Sequence, residues 1–429
     1  MRMMLVGSGA VGESILKVLK WRDPERTWLS YVLVCDYNLE RAKEVVHILD
    51  EEERFEPAQV DATDGKRLEK LIREHRIDFV MDAAPPFASN IIFDAAYAAG
   101  ADYGNMGTWS VPSDHPEYGL GIENSYLEPM TKYNFDRHDA WKKAGRMAMI
   151  CMGIDPGVVN VFAKYAATEL FDELTEVHVK DGGNLSVPGA DPDDITFGFN
   201  VWTVLDEVMN PNVEYDEQKG GFFVEKAFAG KETFEMPEGV GENVLVKVEH
   251  EEVVTMPRYL RQYGLKRVSF KISLDENLIQ ALKVLDHLGL RDIHPVQVGN
   301  VQVIPRDVVA ACAPQPKDIG EEMTGKMVVG VHCIGKKDGE EKEYFIYQPF
   351  DNQSSMKRWN NQAVTAQTGF GAALSIELVA RGIWKDCGVY SPEYFDPKPY
   401  LELMEESGFE YKILELSGQT RKAQRLKAS

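Results

Sequence analysis

Three glycines near the start of the chain have the spacing of a phosphate-binding turn. Gly7-Ser8-Gly9-Ala10-Val11-Gly12 follows an apolar strand-like run, Met3 to Val6, and opens a helical pattern that reaches Lys20. In this context the glycines permit a tight turn and close approach of a pyrophosphate, and the helix amino terminus favours negative phosphates. The pattern predicts that these six residues bind a dinucleotide, and the alternative is an ordinary glycine turn.

An acid after the second strand-like run, Tyr31 to Cys35, bears on the choice of dinucleotide. Asp36 occupies the place where a carboxylate accepts hydrogen bonds from the adenosine ribose and repels a 2′-phosphate. We therefore expect NAD to be preferred. NADP is possible, because Arg41 follows soon after and could pair with a phosphate, although a solvated helix face is the simpler explanation for this arginine.

Loops after other strand-like runs supply further candidates for cofactor contact. In a doubly wound sheet the ligand lies outside the carboxyl ends of the strands. The loops after the fourth and fifth runs are explained equally well as simple turns. The candidates at these strand ends are Asn38, Asp61, Ala62, Ala84, Pro85, Asn105, Met106, Pro156 and Gly157.

Asp155 stands just after the sixth strand-like run, Met147 to Met152, in the sequence GIDPGVVN. An acid followed by proline is a good start for a helix, so one interpretation of Asp155 is a helix cap. The other is an acid at the cofactor crevice, where the chain passes from one domain to the next. The two roles are compatible in one residue.

Composition excludes several classes of function. The 429 residues include 69 acids and 47 lysines and arginines, a net charge of −22 that repels nucleic acids and anionic membrane surfaces and attracts a cationic substrate such as a polyamine. Five cysteines without a C-x-x-C pair and nine histidines without metal-ligand spacing predict neither disulfides nor a metal site. No membrane-spanning run or signal sequence is evident, so we expect a cytoplasmic protein.

The elements that must position these residues alternate between strand and helix through the first 150 residues. This alternation predicts an α/β fold with a parallel, doubly wound sheet of the Rossmann type. Expected elements include a helix from Leu39 to Leu49, a third strand from Ala58 to Val60 and a helix from Asp136 to Gly145. The segment 107–141 has no periodicity, and we interpret it as an insertion that covers the crevice.

Beyond Thr175 the pattern changes to strand-like runs with few helices, which predicts a mixed, largely antiparallel sheet. We expect a dinucleotide-binding domain over 1–155, an α+β domain for substrate binding and dimerisation over 156–362, and a helical segment over 363–429. The last segment, which begins with one long helix of small and apolar residues, is expected to pack back on the first domain. A homodimer is expected.

Several blocks along the chain resemble the saccharopine dehydrogenase family. They are GSGAVGES near the start, GIDPGVVNVFAKYA at 153–166, KDGGNL at 180–185, FNVWTVLDEVMNP at 199–211, GLKRVSF at 264–270, IPRDVVAACAP at 304–314 and RGIWKDCGVYSPE near the end. The resemblance implies NAD(P)-dependent oxidation of a C–N bond, or in reverse the reduction of an imine made from an amine and a carbonyl compound. A small amino acid or polyamine is the implied substrate.

The resemblance also assigns roles to particular residues. Asp155 and Asp181 match positions that face the substrate, where a carboxylate would stabilise an iminium ion. Arg267 matches an arginine that pairs with a substrate carboxylate, and the alternative is a surface residue on an edge strand. The residues that the resemblance or their position places on the substrate side are Asn105, Asn200, Thr203 and Arg267.

Alternatives remain open at this level. Lys180, His138 and His178 are possible acid–base groups, but a structural role is the better explanation for each. A saccharopine-type substrate is slightly favoured over a carboxynorspermidine-type or carboxyspermidine-type polyamine and over lysine, which a lysine 6-dehydrogenase would oxidise. A dinucleotide-binding sensor without activity is the alternative outside enzymes, because fold alone does not fix function.

Overall fold

The structure is a computed structural model that describes residues 1–112, 122–189, 195, 201–313 and 320–416. Within these residues the chain forms a seven-stranded sheet, a nine-stranded sheet and two small two-stranded sheets. The α/β class predicted from the alternation of elements is confirmed.

The first sheet is built from the amino-terminal part of the chain, where apolar strands alternate with amphipathic helices. The third strand begins earlier than expected, because Phe55 is fully buried and holds the start of the strand in the core. The helix from Leu39 to Leu49 has the expected bounds. The elements are β1 (Arg2–Val6), α1 (Ala10–Arg22), β2 (Tyr31–Asp36), α2 (Leu39–Leu49), β3 (Phe55–Gln59), α3 (Gly65–Glu74), β4 (Phe79–Asp82), α4 (Ser89–Ala99) and β5 (Asp102–Asn105).

The described part of the 107–141 insertion contains short elements that contact the second sheet region. Thr108 and Ser110 donate hydrogen bonds to Glu251 and Glu249, respectively, at 3.1 Å from their hydroxyls. The helix expected from Asp136 to Gly145 is observed over the shorter range His138–Lys143, and a separate short helix, Lys132–Phe135, precedes it. The elements are β6 (Val111–Pro112), α5 (Ile122–Ser125), β7 (Tyr126–Glu128), α6 (Lys132–Phe135), α7 (His138–Lys143), β8 (Met147–Met149) and α8 (Val158–Tyr165).

The remainder of the chain supplies the second sheet and a return to the first. Its elements are β9 (Glu173–Gly183), α9 (Val201–Glu207), β10 (Asn212–Asp216), β11 (Gly221–Glu225), β12 (Glu232–Met236), β13 (Gly241–Val246), α10 (Glu252–Leu260), β14 (Arg267–Ser273), α11 (Glu276–His287), β15 (Val296–Val298), β16 (Val301–Val303), α12 (Pro305–Cys312), β17 (Lys326–Lys337), β18 (Glu340–Asp351), α13 (Asn352–Trp359), α14 (Ala363–Ala380), β19 (Gly388–Tyr390), α15 (Lys398–Glu406) and β20 (Lys412–Glu415).

Strand order defines both sheets. The first sheet runs β3-β2-β1-β4-β5-β8-β19 and all its neighbours are parallel, so the order reverses between β1 and β4 and opens a crevice there. The second sheet runs β11-β10-β14-β9-β17-β18-β20, and its two other strands join through β13, which pairs with both β14 and β12. Only β9 and β14 are parallel among its described pairs, so the predicted mixed, largely antiparallel sheet is confirmed.

Helix α14 packs closely against α1 and against the turn at Gly153, and its glycines allow these close contacts. A Cβ on Gly369 would lie 2.4 Å from Oγ of Ser14 in α1, and one on Gly371 would lie 2.3 Å from the carbonyl oxygen of Gly153. The helix is long and apolar enough to cross a membrane by length and composition, but most of it is buried inside the protein. The domain limits expected from the sequence stay a prediction, since β19 joins the first sheet and β20 the second.

Candidate active site

The glycine loop lies at the crevice between β1 and β4. The structural constraint that favours glycine differs from one of its positions to the next. Gly7 has φ +100°, and a Cβ there would lie 2.4 Å from the carbonyl oxygen of Ala83; one on Gly12 would lie 2.1 Å from that of Gly7. A Cβ on Gly9 meets nothing within 4 Å. Packing therefore requires Gly7 and Gly12, while Gly9 borders open space at the start of α1, where a pyrophosphate fits.

Asp36 is fixed beside this loop by three hydrogen bonds. Its Oδ2 accepts from the backbone N–H and the hydroxyl of Ser8, both at 2.9 Å, and its Oδ1 accepts from the N–H of Asn38 at 2.9 Å. Asn38 in turn caps α2. Arg41 donates to the carbonyl oxygen of Ser8 at 3.0 Å and pairs with Glu13 and Glu44. Its charge is therefore already matched by two carboxylates.

The other strand-end candidates lie at the same edge of the sheet. Asp61 and Ala62 follow β3, and Ala84 and Pro85 follow β4, all at least partly exposed. Asn105 is buried, donates to Oγ of Ser89 at 3.2 Å and accepts the N–H of Cys151 at 2.9 Å, so it ties β5 to its neighbours. Met106 packs against the turn at Gly153.

Asp82 is a buried acid in this wall that the sequence analysis missed. It ends β4, and its Oδ2 accepts hydrogen bonds from Oγ of Ser89 and the hydroxyl of Tyr103, each at 2.8 Å. Burial raises the pKa of Asp82 to about 6, against the hydrogen bonds that lower it. Its position as the last residue of the fourth strand was the available clue.

The turn from Gly153 to Gly157, which contains Asp155, follows β8 and precedes α8. Gly157 has φ +144°, and a Cβ there would lie 2.0 Å from the carbonyl oxygen of Gly153, so only glycine fits. The N–H of Gly157 donates to Oδ1 of Asn160 at 2.8 Å, and α8 begins after Gly157. Helix α8 is therefore capped by Gly157, and the cap interpretation of Asp155 is wrong. Pro156 is buried within this turn.

Asp155 and Asp181 meet across the two sheets. Oδ2 of Asp155 and Oδ1 of Asp181 are buried, and neither has a hydrogen-bond partner among the described residues. Burial and the charge of Asp181 raise the pKa of Asp155 well above its ordinary value. Burial also raises the pKa of Asp181 to about 7, although His250 opposes the shift. Buried carboxylates without donors are poised to bind a cation or to carry a proton.

The segment from Glu249 to Glu252 completes this group of acids. Nδ1 of His250 lies 2.7 Å from Oε2 of Glu252, and the imidazole stacks on Phe270 at 3.7 Å between ring centres. Burial lowers the pKa of His250, but the carboxylates of Glu252, Glu251 and Asp155 raise it well above its ordinary value. The buried carboxyl group of Glu251, whose pKa burial raises, accepts the N–H of Thr108 at 2.5 Å.

Ligand atoms of His250, Glu251 and Glu252 lie within 4.8 Å of one another, a spacing that suits a metal ion. The observed contacts favour another interpretation. Glu251 accepts hydrogen bonds from both the N–H and the hydroxyl of Thr108, and Glu252 is bonded to His250. We therefore treat the three residues as an ion-pair network.

Not every residue assigned to the substrate joins this group. Arg267 is paired with Glu176 and Asp216 at 3.7 and 3.9 Å, and half of its side chain is exposed. In the parallel pairing of β14 with β9, Glu176 is opposite Arg267 and Ile272 is opposite Asp181, so Arg267 lies about 16 Å along the sheet from that acid. Thr203 lies in α9, but its side chain, like the whole of Asn200, falls outside the described residues.

The three possible acid–base groups named from the sequence have partners elsewhere. Both oxygens of Glu232 accept from Lys180, at 2.8 and 2.7 Å. His178 contacts Ser269 at 2.7 Å and Glu176 at 3.0 Å. His138 contacts the backbone of Val389. The structure therefore brings His250, which the sequence analysis did not select, to the acids instead.

Basic residues are among those that line a cavity of about 810 Å³ between the insertion and α10. They include Arg258, which lies over the ring of Phe135 at 4.1 Å, and Arg261, which is 3.7 Å from Glu217. They belong to the edge of the insertion and not to the group of acids.

A parallel sheet with a dinucleotide-binding glycine loop, closed by a second sheet that brings acids to the same crevice, defines a two-domain NAD(P)-dependent oxidoreductase. The chain belongs to the saccharopine dehydrogenase family. Sequence models of that family's NADP-binding domain and C-terminal domain match residues 3–149 and 153–409, respectively. The resemblance drawn from short blocks is confirmed, and so is the expectation of an NAD(P)-dependent dehydrogenase.

Named relatives cover nearly the whole chain. Carboxynorspermidine synthase of Vibrio alginolyticus is 27% identical over 383 residues, which are 89% of this chain and 88% of that protein. Carboxyaminopropylagmatine dehydrogenase of Synechocystis sp. is 26% identical over 417 residues, 95% and 96% of the two chains. Apo saccharopine dehydrogenase (L-Glu forming) from Saccharomyces cerevisiae has the same fold, with a TM-score of 0.67 at 15% identity, and covers 97% of this chain and 100% of its own.

Proposed function

We propose that the protein reduces the imine formed between a cationic amine and an amino-acid semialdehyde, and so makes a carboxylated polyamine. The observation that carries this proposal is a set of buried carboxylate oxygens, on Asp155, Asp181 and Glu252, that have no donor in the described part of the chain. Ammonium groups supply N–H donors and positive charge, and they would satisfy all three. The names of the two curated relatives describe products of this kind.

A saccharopine-type substrate suits the same chamber less well. Such a substrate brings extra carboxylates, and His250 is the one cationic side chain that the described residues place among the acids. Unpaired carboxylates next to buried acids cost several kcal/mol. The charge of the chamber therefore favours the polyamine over saccharopine as the class of substrate.

Two carboxylates have distinct tasks in this proposal. A free alkyl amine has a pKa of about 10.4, so only about one molecule in 2,500 is neutral at pH 7. Asp181, whose pKa is about 7, takes a proton from the entering ammonium group and leaves the amine able to attack the aldehyde. Asp155 then lies beside the iminium ion and stabilises its positive charge. The reduced nicotinamide supplies the hydride that the imine carbon accepts.

A substrate panel tests this assignment. We expect purified protein to consume NADH or NADPH when a diamine or agmatine is offered together with an amino-acid semialdehyde. Lysine offered with an α-keto acid serves as the saccharopine arm and should give little turnover. Faster turnover with lysine and the α-keto acid would overturn the polyamine assignment while leaving imine reduction in place.

We propose further that NAD is the preferred cofactor. Asp36 occupies the ribose position, and Arg41 is held by Glu13 and Glu44 and is not free to meet a 2′-phosphate. Replacing Asp36 by Ser should move the preference toward NADP by about 1–3 kcal/mol, the range for a hydrogen bond to a charged group. Steady-state kinetics with both cofactors measure the shift. A wild type that prefers NADPH, with no change in Asp36→Ser, contradicts this choice.

A homodimer is also proposed, and the hairpin of β15 and β16 supports it. Val296, Val298 and Val301 lie on one face and are 44%, 56% and 58% exposed, whereas Gln297 and Gln302 are bonded to each other on the other face. The residues from 293 to 304 include no charged side chain of Asp, Glu, Lys or Arg. Two copies of a chain with a charge of −22 can meet there without burying like charges.

Solution mass tests the dimer. Val298→Glu should convert a dimer into a monomer in light scattering after gel filtration, because it places a charge in the apolar contact. Gln297→Glu adds the same charge to the other face of the hairpin and should leave the dimer intact. A monomeric wild type, or equal masses for both variants, removes this interface.

We propose, finally, that the protein resides in the reducing cytoplasm. Its five cysteines are all free, and burial raises the pKa of Cys35, Cys151 and Cys333 above the ordinary range, which leaves them unreactive. Cell fractionation against a secreted marker tests the location. Recovery with the marker would contradict it.

A further inference from the structure

His250 occupies the turn between β13 and α10, at the centre of the group of acids. Its imidazole is held on two sides. Nδ1 lies 2.7 Å from Oε2 of Glu252, and the ring is parallel to Phe270 within 8° at 3.7 Å. Glu252 is fully buried and stands in the first turn of α10, so it has little freedom to move. The orientation of the imidazole is therefore fixed before any substrate arrives.

The fixed orientation leaves one ring nitrogen for chemistry. Since Nδ1 is occupied by Glu252, Nε2 is the nitrogen that can exchange a proton with a ligand. The side chain of His250 is 15% exposed, in contrast to fully buried Glu252. A carboxylate behind an imidazole, with the far nitrogen open to the site, is the arrangement by which enzymes hold an acid–base histidine.

The charges that face His250 come from three elements. Glu251 and Glu252 belong to its own segment, Asp155 comes from the turn before α8, and Asp181 comes from β9. All four are carboxyl groups, and they keep the imidazole protonated. A protonated imidazole close to Asp155 and Asp181 complements them, because it is a donor where they are acceptors.

We propose that His250 is the catalytic acid of the dehydration step that precedes hydride transfer. This inference rests on the proposed function, in which an amine attacks an aldehyde to give a carbinolamine. Nε2–H of His250 donates its proton to the carbinolamine hydroxyl, the C–O bond breaks and water leaves. The nitrogen lone pair forms the C=N bond of the iminium ion, so no external oxidant or reductant is needed. The ammonium group loses two protons on the way to the iminium ion. One becomes the hydrogen of the carbinolamine hydroxyl, and the other, taken up by Asp181, replaces the proton that His250 donates.

Replacement of His250 by Gln tests the role and keeps a polar side chain of similar size. We expect kcat to fall by about 10²–10⁴-fold, the range for loss of an acid–base group. Affinity for NAD(H), followed by fluorescence, should change less than about twofold, since the residue acts on the other half of the reaction. Preserved cofactor binding also shows that the variant is folded.

The deuterium isotope effect on hydride transfer separates catalysis from simple support. With reduced cofactor deuterated at C4, the isotope effect on kcat should approach 1 in His250→Gln, because dehydration and not hydride transfer limits the rate. A residue that merely positions the substrate would leave the isotope effect at or above its wild-type value. The dependence of kcat on pH provides the second readout. The fall of kcat at high pH, where His250 loses its proton, should disappear in the variant.

His332 offers a matched control. It is also a buried histidine bonded to a glutamate, with Nε2 3.1 Å from Glu343, but it lies on the opposite side of the sheet from Asp181. His332→Gln should retain kcat within about threefold and keep the wild-type isotope effect. Glu252→Gln should lose less activity than His250→Gln, because it disturbs the orientation of the acid and leaves the acid in place.

Two results would overturn the proposal. One is a His250→Gln enzyme with near wild-type kcat, and the other is a large loss of kcat with an unchanged isotope effect and an unchanged pH profile. The variants are assayed on whichever amine and carbonyl pair the wild type accepts. A failure of the polyamine assignment is therefore visible in the wild type alone, and a failure of His250 appears only in the comparison of variants.

Discussion

Lys180 and Asp181 are neighbours on β9, yet the two sides of the sheet that they face treat charge in opposite ways. Lys180 donates to both oxygens of Glu232, and Lys271 contacts the same carboxylate. On the other side, Asp181 and the neighbouring Asp155 each have one buried oxygen with no donor among the described residues. Adjacent residues of one strand therefore differ. Lys180 belongs to an ion pair that the protein completes, which we call closed, and Asp181 is an acid whose oxygen has no donor among the described residues, which we call open.

The same contrast extends across the strands that follow. His178 and His332 stand opposite each other in the register of β9 and β17 on the side of Lys180, and each is bonded to a glutamate. Burial lowers the pKa of His178 to about 4 although Glu176 opposes the shift, so this contact is a hydrogen bond and not an ion pair.

Buried polar groups whose partners belong to the protein need no ligand to complete them. Unpaired buried acids lower stability and are retained where a ligand or a proton completes them. Glu214 is a further buried acid on the side of Lys180, and burial raises its pKa to about 7, but Lys247 lies 3.1 Å from its carboxylate. Asp155 and Asp181 are buried acids that no lysine or arginine pairs among the described residues, and their side of the sheet is the candidate site.

Removing the open acid should give the largest effect. In Asp181→Asn we expect kcat/KM to fall by about 10²–10⁴-fold, because the proton acceptor for the ammonium group is lost. The free energy of unfolding at pH 8 should rise, since a carboxylate that is costly to ionise has been removed. Kinetics and chemical denaturation of the same sample measure both quantities. Loss of activity together with loss of stability would mean that Asp181 supports the fold.

Removing the ammonium group of Lys180 should have the opposite effects, a loss of stability with little change in activity. Lys180→Met leaves Glu232 with Lys271 as its remaining described partner, so we expect the free energy of unfolding to fall by about 3 kcal/mol. The kcat/KM of the folded protein should stay within about twofold. Urea unfolding and steady-state kinetics below the transition measure the two. A large catalytic loss with normal stability would bring Lys180 into the site and erase the distinction between the faces.

The pH dependence of stability isolates the open side. Asp181 has a pKa of about 7 in the folded chain and about 3.9 when unfolded, so between these values the folded state binds the extra proton. Stability from this group is therefore complete below about pH 4 and is lost as pH rises toward 7, by on the order of 1 kcal/mol per pH unit. Thermal unfolding of wild type and Asp181→Asn should converge at low pH and separate at high pH. Parallel curves would contradict the shift.

The smallest effect is expected at Arg267. The sequence resemblance made it a carboxylate clamp, but the structure places it on the surface with Glu176 and Asp216. Arg267→Ala should change the free energy of unfolding by less than about 1 kcal/mol and kcat/KM by less than about threefold. A loss of kcat/KM worth about 2–4 kcal/mol would instead restore the role of Arg267 as a carboxylate clamp.

Features that are determined by residues close together in the chain could be predicted from the sequence. The glycine loop, the bounds of α2 and the acid at the end of β2 follow from spacing over a few residues. His250 did not, because EHEE at 249–252 reads as a solvated charge run, and its burial depends on α10 packing on β14. The exposure of Arg267 likewise depends on the register between β9 and β14, which no local pattern determines.

The return of the chain to its first sheet has a consequence for synthesis. Strand β19 pairs with β8, and α14 covers α1 with Gly369 against Ser14. Roughly 240 residues separate β8 from β19, and at about 5–20 residues per second a ribosome needs on the order of 10–50 s to make them. During that interval the nascent nucleotide-binding region has one helix face uncovered and one sheet edge unpaired. The fold of the amino-terminal region is therefore among the last to be completed. Until residue 390 has been synthesised, the exposed helix face and strand edge stay folding-competent only if chaperones cover them or if aggregation is slow.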